Sequence, residues 1–162
     1  MTKLGDLYDQ DFVLWTEEQA AALRQAKGAN LPLDWENLAE EIETLGTSQR
    51  AALNSHIRRI LRHLFKLAAS PAPQPRVGWR TTIRDARTEI EDLLESSPSL
   101  RREIDGMVKR QAGTAAKLAS ADLEDHGEPS AAVRERLSEG GFTAEQVLGD
   151  WFPDAPGEGV KE

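Results

Sequence analysis

The sequence predicts an all-α fold, and three observations carry that prediction. Apolar residues recur at spacings of three, four and seven through most of the 162 residues. Val is sparse, and neither an apolar/polar alternation nor an Asn-Gly hairpin signal interrupts the pattern. Gly28, the run Ser70-Pro71-Ala72-Pro73-Gln74-Pro75, Ser97-Pro98 and Gly127 cut the periodic stretches into helix-sized pieces. Short connections between such pieces predict antiparallel neighbours. The expected architecture is an antiparallel helical bundle with one long bent helix, about 35–69, and two short C-terminal helices. It forms a single helical domain over 1–153, followed by a frayed acidic tail at 154–162.

The first helix is expected from about Asp9 to Lys27. Phe12, Trp15, Ala22, Leu23 and Ala26 share its apolar face, and Gly28 stops it. Asp34 caps a new start after Pro32. Trp35, Leu38, Ile42 and Leu45 follow at helical spacing, and Leu53, Ile57, Ile60, Leu61, Leu64, Phe65 and Ala68 resume it beyond Gly46. At 100° per residue the apolar centre after Gly46 sits about 80° from the centre before it. That mismatch predicts a bend or short break near Gly46–Ser48, where Thr47 or Ser48 caps a restarted helix. Trp79, Ile83, Ala86, Ile90, Leu93 and Leu94 mark a helix over about 77–95. Ser97 caps the next, with Pro98 at its first position. Leu100, Ile104, Met107, Gln111, Ala115 and Leu118 carry that helix to about Asp125. Short helices are expected near 129–138 and 144–149, the second opened by a Thr143/Gln146 capping box. Trp15, Trp35, Trp79 and Trp151 occupy apolar positions and read as core anchors.

Composition excludes several classes of function. Without cysteine there are no disulfides and no thiolate metal sites. No apolar run is long enough for a transmembrane helix, so no membrane partner is expected. The opening MTKLGDLYDQ has no apolar stretch of the secretory-signal kind, which suits a cytoplasmic location. GxxxxGK[ST], GxSxG, HExxH and a strand-linked GxGxxG are all missing. His56 and His63 are seven residues apart, roughly 10 Å of helical rise, too far for one metal ion. Neither a metal nor a cofactor is expected.

The net charge of −8 hides a segregated pattern. Residues 50–87 carry nine Arg/Lys against the single acid Asp85, while the flanking segments are strongly acidic. In the stretch HIRRILRHLFK, the cations Arg58, Arg59, Arg62 and Lys66 fall opposite the Ile57–Leu64 stripe, on an outer face. Arg76, Arg80, Arg84 and Arg87 recur on the next helix. The binding candidates are therefore Arg58, Arg59, Arg62, Lys66, Arg80, Arg84 and Arg87, a set suited to phosphates or answered by acids of the same fold. Glu40, Glu41 and His63 are candidates for a polar cleft.

Several segments, in this order, resemble the bacterial family known as domain of unknown function 29. They are Tyr8-Asp9-Gln10-Asp11-Phe12-Val13-Leu14-Trp15, Asp34-Trp35-Glu36-Asn37-Leu38-Ala39-Glu40-Glu41-Ile42-Glu43, His63-Leu64-Phe65-Lys66 and Gly78-Trp79-Arg80-Thr81-Thr82-Ile83-Arg84-Asp85-Ala86-Arg87. Ser97-Pro98-Ser99-Leu100 and the closing Phe142 to Pro153 extend the resemblance over about residues 7–153. It implies a small all-helical protein and no established activity, so no catalytic residue is carried over. Where a glutamine is expected before Arg87, this chain has Ala86.

Three functions compete. The first is a protein–protein interaction module, binding a protein partner or a second copy of itself. The second is a nucleic-acid-binding protein using the basic block 50–87, although an interleaved aromatic set and a helix-turn-helix signature are missing. The third is an enzyme in which Glu41, His63, Lys66 and Arg87 meet in a cleft.

Overall fold

Asp11 decides the first local structure. Its backbone is extended (φ −155°, ψ 97°), and its carboxylate accepts from the Leu14 N–H at 3.0 Å. One helix therefore ends and another begins where a single helix from Asp9 was expected: α1 spans Leu4–Gln10 and α2 spans Phe12–Gln25. This computed structural model describes residues 4–158, so the last four positions of the expected acidic tail lie outside the described residues. The remaining elements are α3 (Trp35–Ala69), α4 (Pro73–Ser96), a 3₁₀ helix (Pro98–Glu103), α5 (Ile104–Asp125), α6 (Ala131–Ser138) and α7 (Ala144–Leu148). The described chain is all-α. Its described residues divide into two compact units, one built from residues up to 53 with 91–103, the other from 54–90 with those from 104 onward.

In the first unit, α2 buries Val13, Thr16 and Ala20, spaced three and four apart. The expected face was offset from this one: Phe12 and Trp15 are half-buried and Ala22 is exposed. Phe12 and Trp15 instead join Tyr8 in an aromatic cluster, with Tyr8 edge-on to both. The buried Asp11 carboxylate also accepts from the Ser99 N–H and hydroxyl, at 2.7 and 3.0 Å. In return the Ser97 hydroxyl accepts from the Val13 N–H at 3.1 Å. Two helix starts thus satisfy each other's orphan donors, and Ser97 does not cap its own helix as expected.

α3 passes through Gly46–Ser48 without interruption, so no second helix restarts there. The Thr47 hydroxyl donates back to the Glu43 carbonyl rather than capping. A Cβ at Gly46 would collide with the Thr16 hydroxyl, so the glycine is required by close approach of α2. The 80° mismatch therefore marks no break, and burial accounts for it. Ala39 and Gly46, the buried positions of the first half, lie on the same side of a 100° wheel as Leu53, Ile57 and Leu64. Leu38 and Leu45 lie roughly 90° away and are 39% and 49% exposed. The apolar arc is wider than its cover.

In the second unit, Leu53's successors Ile57, Ile60, Leu61, Leu64 and Phe65 are fully buried, together with Ile83, Ile90, Met107, Ala115 and Leu123. The proline run breaks the chain more briefly than expected. Only 70–72 are non-helical, and Pro73 and Pro75 sit in the first turn of α4, where their missing N–H leaves no bond unmade. Pro98 opens a 3₁₀ turn before α5 rather than α5 itself. The Thr143/Gln146 capping box opens α7 as expected. Gly127, at φ +73°, ends α5.

Candidate functional site

The tryptophans do not anchor the core: Trp15, Trp35 and Trp79 are half-buried and Trp151 is exposed. Trp79 is placed one turn into α4 beyond the helical prolines, and its ring forms a wall of a cavity of about 680 Å³ in the second unit. That volume is in the range of small-molecule sites. The last turns of α3 supply Arg62, His63 and Lys66, Ala72 of the α3–α4 connection and Pro75 of α4 follow, and the end of α5 adds Asp122 and Leu123, with His126 just beyond it.

Arg62 and Lys66 are four residues apart and so share a face, where Asp122 meets both. Arg62 donates to Asp122 through Nε at 2.6 Å and also through a terminal nitrogen. Lys66 Nζ lies 3.1 Å from the same carboxylate and 5.0 Å from the Trp79 ring centre. Lys66 is only 7% exposed. The outer-face placement is therefore corrected for Lys66, and both cations are answered by an acid of the same fold, one of the two alternatives the charge pattern left open. Their aliphatic stems lie along the core edge while their heads turn to α5.

These contacts set the charge states. The Arg62 hydrogen bond, aided by Lys66, pulls the Asp122 carboxyl from 3.8 to about 2. Burial lowers the Lys66 ammonium below its ordinary value, outweighing Asp122. Burial also lowers His63, and the charges of Lys66 and Arg62 add to that. The His63 Nδ1 lies 2.8 Å from the Arg59 carbonyl, which can only accept, so Nδ1 carries the proton and Nε2 is the basic atom. His126 is fixed the same way by the Asp122 carbonyl. Shifted groups gathered at a cavity are a site signature. Among the described residues no cluster of three or more His, Asp or Glu is arranged to hold a metal.

Of the four residues expected to share a cleft, His63 and Lys66 line this cavity. Glu40 and Glu41 are exposed on the first half of α3 and are not among the cavity's lining residues. Arg87 is buried elsewhere in the second unit. It donates to the carbonyls of Val147, Gln146 and Trp151 at 2.7–2.9 Å, fastening α7 and the segment after it. Arg76, also buried, caps the end of α3 through the Leu67 and Ser70 carbonyls. Arg80, Arg84 and Arg87 all approach the Phe152 ring, at 5.6, 5.2 and 4.9 Å. Much of the basic block is thus engaged internally. Arg58 touches Gln111 at 3.3 Å, and Arg59 is exposed. Asp122 and His126 were missed by sequence reasoning. Their only signal is i,i+4 spacing near a helix end, which does not distinguish them from other surface residues.

The chain resembles a solved structure, an α-helical protein of unknown function from Rhodospirillum rubrum. The two are 26% identical, with a TM-score of 0.67 over 88% of this chain and 89% of that one. No curated protein matches. The sequence profile described as domain of unknown function DUF29 matches residues 7–152, nearly the whole chain, and the chain belongs to that family.

Proposed function

We propose that the second unit binds a small molecule in the cavity between Lys66 and Trp79. The observation that supports this is a nearly buried ammonium, paired with Asp122 and facing an aromatic ring, beside open space rather than packed side chains. Structural ion pairs are ordinarily packed to crystal-like density. The wall is mainly apolar with a few convergent polar groups, the usual make-up of a ligand pocket. A neutral aromatic probe, N-phenyl-1-naphthylamine, tests it. Saturable fluorescence enhancement is expected with the native chain, and Ala72→Trp, which fills the cavity, abolishes it. Absence of saturable binding, or binding indifferent to Ala72→Trp, overturns the reading.

A second reading, the interaction module, is favoured by a separate observation. Leu31, Leu33, Leu38 and Leu45 of the first unit are all at least 39% exposed. Glu41 lies three residues after Leu38 and four before Leu45, hence beside both on the helix. The complementary partner is an amphipathic helix whose apolar face is flanked by Lys or Arg.

A further inference from the structure

A second, smaller cavity of about 310 Å³ in the same unit shares Arg62 and His63 with the first. Ser55, Arg58, Arg59 and Arg62 recur at three, four and seven residues on α3 and line it, together with Thr82 of α4 and Leu118 of α5. The two cavities differ in electrical character. In the first, Asp122 and Glu128 offset Arg62 and Lys66. The second has three guanidinium groups and no carboxylate in its wall. Only Arg62 is neutralised, by Asp122. Among the described residues neither Arg58 nor Arg59 has a carboxylate partner within 4.0 Å.

We infer that the two cavities are one bipartite site for an amphipathic oxyanion: an aromatic or apolar body against Trp79, and a carboxylate or phosphate held by Arg58 and Arg59. This deepens the cavity reading and rests on it. Lys66 and Arg62 already serve Asp122, so the cationic valence left for a ligand belongs to Arg58 and Arg59. Guanidinium forks match both oxyanions. His63 stands where the cavities meet, its unprotonated Nε2 suited to a hydroxyl or amine donor on the ligand's body.

The test pairs two probes with nearly the same body. N-phenyl-1-naphthylamine is neutral, and 1-anilinonaphthalene-8-sulfonate adds an anion. The sulfonate is expected to bind about tenfold tighter, the worth of one charge-assisted contact. Raising salt reduces its advantage. Arg58→Gln/Arg59→Gln brings the two probes to equal affinity while leaving the neutral one unchanged, which also verifies the fold. Equal binding of both probes to the native chain overturns the oxyanion site alone. An advantage that survives in the double variant also overturns it, placing the anion elsewhere. If neither probe binds, the cavity reading fails as well. Competition with 1-naphthyl phosphate and 1-naphthoate then separates the oxyanions. Displacement by either supports the site and names the class, and displacement by neither overturns it.

Discussion

Asp122 is held by two cations at once, and acid should reveal it. Its native pKa of about 2 lies below the ordinary 3.8, so the folded chain binds fewer protons than the unfolded chain between those values. Stability from this group is complete above that window and is lost as pH falls through it, by roughly 2 kcal/mol. In urea unfolding, the stability gap between the native chain and Asp122→Asn should narrow by about that amount from about pH 5 to below 2. A constant gap would mean Asp122 contributes no ionic stabilisation. Lys66 shows what a sequence does and does not reveal about a site. Its membership of the His63–Lys66 motif marked it, yet a helical wheel placed it outward. The wheel knows only its own helix, and Lys66 is turned inward by an acid on α5, 56 positions later.

At the scale of elements, close approaches explain what periodicity left unexplained. Gly46→Ala should destabilise by roughly 1–3 kcal/mol, because the new methyl meets the Thr16 hydroxyl. Gly113→Ala in α5 has open space and should stabilise by about 0.5–1 kcal/mol. Thermal unfolding of the two variants checks this, and Thr16→Ala should recover part of the loss at Gly46. Equal effects at both glycines would show that propensity alone matters. Most helices were legible because caps and breakers act locally. The Asp11 break was not, because an Asp inside a helical pattern looks like a solvated residue until Ser97 and Ser99 fold back to meet it.

For the whole chain, an apolar phase shift need not signal a break in a helix. The two leucines that displaced the stripe are simply uncovered. Leu38→Gln/Leu45→Gln should change unfolding free energy by only about 0.5 kcal/mol, against 2–5 for Leu64→Ala. A labelled, Lys-flanked amphipathic helical peptide should bind the native chain and lose binding in the double variant and in Glu41→Lys. No binding to the native chain would leave the strip without a partner of that kind. The charge blocks were legible in full, but their use was not. Asymmetry along the sequence cannot say which arginines meet acids, which meet carbonyls and which stay free. Arg87 has a last consequence, for tolerance to substitution. It grips backbone carbonyls, and every amino acid carries one. Gln146, Val147 and Trp151 can therefore change identity without loosening its grip, as far as these bonds are concerned. Arg87 itself has no such freedom, since lysine, with a single ammonium, lacks the fork whose Nε and terminal nitrogen serve these three carbonyls.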